Sequence, residues 1–155
     1  MENSEIHQVL ESCEFFKGLE LNHIEKIAGL CQVDNYEPGE YVFRQGDFGE
    51  HIYIIATGHI FLERSMDLGM RRGSVVIRIL GKGRVFGCWS TLLDEPHNLM
   101  CSATCQKPTT LVAMKGADLR NMMLSNTELG FNVLERLCFL LRDRIQGVIG
   151  AMENI

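Results

Sequence analysis

The stretch VFGCWSTLLDEPHNLMCSAT, residues 85–104, decides how this chain folds. It begins with the apolar residues Val85 and Phe86 and then reaches Gly87, a residue typical of a tight turn. Pro96 interrupts the middle of the stretch, and a second β-rich run follows at residues 100–105. The stretch therefore predicts a glycine turn at Gly87 and, after Pro96, a strand at residues 100–105.

On both sides of this stretch, short β-rich runs alternate with turns that contain glycine. The runs are residues 41–43, 52–55, 60–62, 75–80 and 110–114, and the turns are residues 38–40, 46–47, 57–58 and 81–83. Too few residues separate the runs for the crossover helices that parallel strands need. Residues 31–115 are therefore predicted to form an antiparallel roll or sandwich.

Helical patterns flank this β-rich region on both sides. In residues 1–30, apolar side chains recur at helical spacing, and Asn22 is the predicted N-cap of a second helix. In residues 116–155, a short helix is predicted at 117–124. A long one follows from Ser125, with Glu128 completing an S-x-x-E capping box, to about Met152. The fold class is mainly β with flanking helices and a long C-terminal helix.

One apolar stripe of the long helix repeats every three or four residues, which is the spacing of a heptad seam. Its members are Leu134, Cys138, Leu141, Ile145, Val148 and Met152. The alternative is that this apolar stripe packs only against the β-core of its own chain. At 1.5 Å per residue, however, the helix extends to about 40 Å, longer than the face of a small domain. A symmetric dimer through this seam is therefore expected, with Leu137 and Leu140 facing the roll.

Length and charge narrow the class of protein further. The chain has 155 residues, enough for one domain with one core. Its 15 basic and 20 acidic side chains give a net charge of −5, which disfavours nucleic-acid binding. No apolar run is long enough to cross a bilayer, and the first residues do not form an export signal. Six cysteines without a regular spacing favour reduced thiols and a cytoplasmic location.

Several motifs together resemble one known family. FFKGL at residues 15–19, EPGE at 37–40, RQGD at 44–47 and YII at 53–55 occur in its order. The chain resembles the cyclic nucleotide-binding domain family, which includes catabolite-activator-type bacterial regulators and regulatory subunits of cyclic-nucleotide-dependent kinases. Residues 85–104 are similar, without gaps, to the family's phosphate-binding cassette. The resemblance implies a single domain over residues 1–155, built on a double-stranded β-roll (a jelly roll).

The cassette departs from the family's pattern at two positions. Where the family has a glutamate that accepts from the ribose hydroxyl, this chain has Cys88. Where it has an arginine that pairs with the cyclic phosphate, this chain has His97. Arginine offers a planar, permanently charged fork, whereas neutral histidine offers a single donor. Since hydrogen bonds to charged groups contribute about 1.5–3 kcal/mol, the affinity for cyclic AMP is expected to be about 10- to 100-fold lower than in the family.

The resemblance also implies where a ligand would lie, between the roll, the cassette and the long helix. The residues expected to contact it are Ile77, Leu80, Phe86, Gly87, Cys88, Trp89, Ser90, His97, Asn98 and Leu99. Trp89 has two interpretations: it fills the space of the nucleotide, which is the favoured one, or it stacks on a ligand's ring. Backbone N–H groups after Gly87 would still hold an anion weakly.

Alternatives of other classes remain open. In one, Cys88 and His97 hold haem or another redox group, although a lone thiolate and imidazole lack two ligands for a structural metal site. In another, the pocket is vestigial and the protein is a scaffolding dimer. Neither G-x-S-x-G nor a phosphate-binding G-x-x-x-x-G-K-[ST] occurs, so no enzyme is expected.

The sequence thus predicts a stand-alone regulatory module with weak or altered ligand specificity, no metal and no obligatory cofactor. It would signal through its C-terminal dimer helix to an effector protein of unknown identity. Direct DNA binding and membrane insertion are not expected, and no helix-turn-helix follows the long helix before Ile155.

Overall fold

The computed structural model describes the backbone of residues 1–153 and the side chains of residues 1–150. Two helices, eight strands and two further helices follow one another. Their bounds are α1 Asn3–Ser12, α2 Leu21–Ala28, β1 Gln32–Tyr36, β2 Tyr41–Phe43, β3 His51–Thr57, β4 Ile60–Asp67, β5 Arg72–Leu80, β6 Val85–Gly87, β7 Ser102–Thr104, β8 Thr109–Lys115, α3 Gly116–Ser125 and α4 Thr127–Glu153. A 3₁₀ helix, Trp89–Leu93, lies between β6 and β7.

The strands form two four-stranded sheets, ordered β1-β8-β3-β6 and β2-β7-β4-β5, and every pair is antiparallel. The predicted antiparallel roll with flanking helices is confirmed. Sequence patterning missed two strands, β1 and β6. In β1 (QVDNY) no side chain is fully buried, so the apolar alternation is weak. β6 has only three residues and runs directly into the cassette turn.

β3 connects the two cores of the molecule because both of its faces are buried. Ile52 and Ile54 pack against the helices, in a core that α1, α2, α3 and α4 share with one face of the first sheet. Ile55 points the other way, into the interior of the roll, where it packs with Phe43 and Phe86. This alternation between two apolar environments explains why the strand reads as a nearly continuous apolar run.

Two predicted helix caps are wrong. α2 begins one residue before Asn22, with Glu20 in the N-cap position, and Asn22 instead accepts from the neighbouring His23 N–H. Ser125 is the last residue of α3, and its hydroxyl donates to the Asn121 carbonyl. Asn126 caps α4, because its side-chain oxygen accepts from the Leu129 N–H at 3.2 Å.

α4 lies against the roll along one face only. Leu129, Val133, Leu137 and Leu140 are buried in the helix-covered core. This confirms the expected inward orientation of Leu137 and Leu140. The opposite face of α4 is exposed to solvent.

Candidate functional site

The backbone of the cassette turn is fixed by a close approach at Gly87. Gly87 pairs with Ile52 across β6 and β3 and has φ +121°, a conformation that L side chains rarely adopt. A Cβ there would collide with the His51 carbonyl oxygen. The same carbonyl accepts from the Cys88 N–H at 3.0 Å. The chain then turns into the 3₁₀ helix, and Asp94 follows it in the C-cap position with φ 59°.

The second half of the cassette is tied to the loop between β2 and β3. The Gly49 N–H donates to the His97 carbonyl at 3.0 Å, and the Leu99 N–H donates to the Asp47 carbonyl at 2.7 Å. Gly46 N–H in turn donates to the Leu99 carbonyl at 2.8 Å. These backbone bonds hold the cassette in place without using the side chain of His97.

A cavity of about 290 Å³ opens between the roll, the cassette and α4. That volume lies at the lower end of the range for small-molecule sites, about 300–1,000 Å³. Most of its lining is apolar. The lining residues are Phe43, Leu62, Arg78, Leu80, Val85, Phe86, Gly87, Trp89, Ser90, His97, Leu99, Met100, Cys101 and Arg144.

The structure brings most of the sequence-predicted residues to this cavity. Those in its lining are Leu80, Phe86, Gly87, Trp89, Ser90, His97 and Leu99. Three others lie elsewhere. Ile77 lines a neighbouring groove of about 720 Å³, and Asn98 forms a β-bridge with Phe48. Cys88 is 1% exposed, and its side chain lies where a Cβ on Gly49 would be.

These positions are relevant to the alternative in which Cys88 and His97 together hold haem or another redox group. His97 is exposed in the cavity lining, and its Nδ1 lies 2.8 Å from the Asn98 carbonyl oxygen. Cys88 is enclosed outside that lining. The two side chains therefore do not both face the cavity, and no observation favours a haem or redox group between them.

Trp89 forms part of the wall and leaves the cavity open, contrary to the favoured interpretation that it fills the site. Its ring packs edge-on against Phe15, with the ring centroids 5.1 Å apart. The Arg144 guanidinium lies over its other side, 5.6 Å from the ring centroid. Trp89 thereby joins the helix-covered core to the edge of the cavity.

Glu14 connects α4 with the roll at this edge. Its carboxylate accepts from Arg144 Nη2 at 2.9 Å and from the Val85 N–H at 2.9 Å, and it lies 3.2 Å from Arg84 Nε. Arg144 also donates to the Val85 carbonyl at 2.9 Å. A residue of the long helix is thus bonded to the strand that leads into the cassette.

Arg78 and Arg144 are cavity residues that the sequence analysis missed. Arg78 interrupts the apolar run VVIRIL at residues 75–80 of β5, and this interruption was the available signal. Arg144 sits beside the seam residue Ile145, and nothing in the spacing shows that it turns toward the roll. Both arginines also line the neighbouring groove.

The predicted seam of α4 is open to solvent along its described part. Leu134, Leu141, Ile145 and Val148 are between 41% and 61% exposed, and Cys138 is exposed. The side chain of Met152 lies outside the described residues. β5 adds further exposed apolar side chains, and one of them, Ile77, lines the same groove as Val148.

Away from the cavity, one group of side chains has the composition of a metal site. Within residues 1–153, the ligand atoms of Glu20, His23 and Glu128 lie within 4.8 Å of one another. They join the starts of α2 and α4. Of the helices in the same range, none combines the length and apolarity that crossing a bilayer requires.

Comparison with known proteins gives a consistent result. The sequence model of one protein family, the cyclic nucleotide-binding domain, matches residues 33–126 of this chain. A cGMP-dependent protein kinase of Eimeria tenella is 27% identical over 81% of this chain and 11% of its own length. The cyclic AMP receptor protein of Thermus thermophilus is 31% identical over 68% of this chain and 46% of its own length.

The fold is shared more widely than the sequence. A crystal structure of a cyclic nucleotide-binding domain from Methylobacillus flagellatus superposes with a TM-score of 0.77 at 20% identity, over 94% of this chain and 79% of that one. The chain spans less than half the length of the two curated relatives. The matched model describes a ligand-binding domain, which confirms the expectation that the chain is not an enzyme.

Proposed function

Because the chain belongs to the cyclic nucleotide-binding domain family, we propose that it senses a small ligand in the cavity between the roll and α4. The observation that supports this most directly is the position of Arg144. It lies on α4, lines the cavity, and is bonded to Glu14 and to the Val85 carbonyl. Anything that occupies the cavity therefore meets the long helix as well as the roll.

The ligand class that we assign is a nucleotide, and cyclic nucleotides are expected to bind weakly. The relatives are named for cyclic GMP and cyclic AMP. In this chain, His97 provides a single imidazole where a bidentate guanidinium would hold the phosphate, and Cys88 is turned away from the cavity. The apolar lining suits a base, whereas the cassette side chains offer little to a phosphate.

Signalling would follow from a difference in contacts between two positions of α4. A ligand shifts such an equilibrium only by the difference in its affinity for the two states. The bonds from Arg144 to Glu14 and Val85 are the contacts that an anionic ligand would compete with. We infer that occupancy changes how α4 packs on the roll, and that an effector protein detects this change.

The exposed seam of α4 supports a homodimer in this proposal. Apolar side chains such as Leu141, Ile145 and Val148 share one face of the helix, and the side chains of residues 1–150 leave them exposed. A second copy that presents the same seam would bury them symmetrically. A cytoplasmic location agrees with the six cysteines, none of which is in a disulfide.

Calorimetric titration with cyclic AMP and cyclic GMP tests the ligand assignment. We expect weak binding to the native chain, and about 10- to 100-fold tighter binding of cyclic AMP to His97→Arg, since the substitution restores the fork. His59→Arg is the control, because His59 is an exposed histidine outside the cavity lining. Absence of binding by all three proteins at millimolar concentration would refute the proposal and favour a scaffolding dimer.

Light scattering coupled to gel filtration tests the dimer. The native chain should elute with the mass of two copies, and Ile145→Glu should shift it toward one copy by placing a charge in the seam. Gln146→Glu introduces the same charge at the adjacent exposed position and should leave the dimer intact. A monomeric native chain, or a dimer that tolerates Ile145→Glu, would contradict the proposed interface.

A further inference from the structure

An excess of positive charge lies where the cavity meets the neighbouring groove. Arg78, Arg84 and Arg144 all line that groove, and Glu14 forms ion pairs with Arg84 and Arg144. These three guanidiniums and one carboxylate leave a charge of +2. Lys17 and Asp143, also in the groove lining, offset each other. We call Arg78, Arg84 and Arg144 the arginine cluster.

Arg78 is the member of the cluster that is free to bind a ligand. Arg84 and Arg144 both contact Glu14. In the part of the chain that the structure describes, Arg78 has no hydrogen bond and no ion pair of its own. Partial burial lowers the pKa of Arg78, and repulsion from Arg144 and Arg84 adds to this effect. A negative charge from a bound ligand would relieve this repulsion.

Arg144 also retains an unused donor. Its Nη2 is bonded to Glu14 and Val85, but its Nε is buried and has no hydrogen-bond partner among the described residues. Buried donors are normally satisfied, so an unpaired one beside a cavity suggests a missing acceptor. Because Arg78 and Arg144 both line the cavity and the groove, one anionic group at the boundary could contact both.

Resting on the proposed function, we infer that the anionic group of the ligand binds to Arg78 and Arg144, and that His97 is not its main partner. The ligand's planar body would lie inside the roll, where Phe43, Leu62 and Phe86 provide an apolar lining. A terminal phosphate monoester carries a charge of about −1.5 to −2 at neutral pH, which matches the excess charge of the cluster. A cyclic phosphate diester carries less. The ligand class that fits best is therefore a nucleoside monophosphate with a terminal phosphate.

Trp89 provides a direct readout, since it is the only tryptophan and lies in the cavity wall beneath Arg144. Its fluorescence is followed while adenosine 5′-monophosphate, cyclic AMP or uncharged adenosine is added, and calorimetry is run in parallel. We expect the 5′-monophosphate to bind at least as tightly as cyclic AMP. Adenosine should bind at least about tenfold more weakly than the 5′-monophosphate. Arg78→Gln should weaken binding of the monophosphate about tenfold and leave that of adenosine unchanged, because only the charged contact is lost.

Arg71→Gln is the matched control, because Arg71 is an exposed arginine in the turn between β4 and β5, outside both linings. It should bind all three compounds as the native chain does. Two results would overturn the inference while leaving the proposed function intact: equal affinity for adenosine and its monophosphate, or an Arg78→Gln variant that binds the monophosphate normally. If none of the three compounds binds at millimolar concentration by either method, the ligand assignment of the proposed function falls together with the inference.

Discussion

The two sides of the cavity differ in what they contribute. The cassette side, residues 85–99, has a well-defined backbone but offers no arginine or carboxylate to a ligand at positions 88 and 97. The other side carries the arginine cluster, with Arg78 on β5, Arg84 in the turn before β6 and Arg144 on α4, and it has more positive charge than the described side chains neutralise. The comparison shows that shape and charge of a site are specified by different residues. Glycines and backbone hydrogen bonds determine the shape, and long side chains from other elements supply the charge.

The largest loss of stability is expected when one carbon is added to the turn of the cassette side. Gly87→Ala should destabilise the fold by about 3 kcal/mol, because a positive φ is strained for alanine and the new Cβ meets the His51 carbonyl oxygen. Urea denaturation gives the free energy of unfolding. Gly69→Ala is the control: its φ is also positive, +84°, but no atom lies within 4 Å of the added carbon. It should cost only about 1 kcal/mol. Similar losses in both variants would show that the cassette backbone is not constrained as described.

A smaller effect is expected on the arginine side when its carboxylate is neutralised. Glu14→Gln keeps an acceptor for the Val85 N–H but leaves Arg84 and Arg144 without their counter-charge. The free energy of unfolding should fall by about 1–2 kcal/mol. Glu11→Gln, an exposed change on α1, should fall within about 0.5 kcal/mol of the native chain. If Glu14→Gln is as stable as this control, Glu14 does not hold α4 to the roll.

The smallest predicted effect has the opposite sign. Arg78→Gln should leave the fold unchanged or stabilise it by up to about 0.5 kcal/mol, because it removes an unpaired charge repelled by Arg84 and Arg144. The gain should be visible in thermal unfolding at low ionic strength and should vanish at high salt, where the repulsion is screened. A clear loss of stability would mean that Arg78 has a structural partner, and the excess charge would then be an incorrect description of this side.

The sequence predicts these two sides to different degrees. A local sequence pattern identified the cassette, because Phe86, Gly87 and Pro96 stand where the family's cassette has the same residues. The same kind of signal found the face of α4 that covers the core and the face that it leaves open, since a heptad spacing marks both. Local patterns were sufficient wherever the backbone itself determines the structure.

The arginine side could not be predicted in the same way. Whether Arg78 faces the cavity depends on which face of the edge strand β5 is turned toward the cavity. Whether Arg144 reaches the cavity depends on how α4 packs against the roll. The capping errors have a related cause. Ser125 and Asn126 are both good caps in isolation, and the end of α3 decides between them. In each case the deciding contact comes from an element distant in sequence or from the exact end of a preceding helix.

The central claim is that an occupant of the cavity acts on the roll and on α4 together. Hydrogen–deuterium exchange of the native chain with and without millimolar cyclic AMP tests it most directly. The account predicts slower exchange both in residues 85–92 of the cassette and in residues 140–148 of α4, with little change in α1. Protection confined to the cassette, or exchange in α4 that the ligand does not alter, would contradict it.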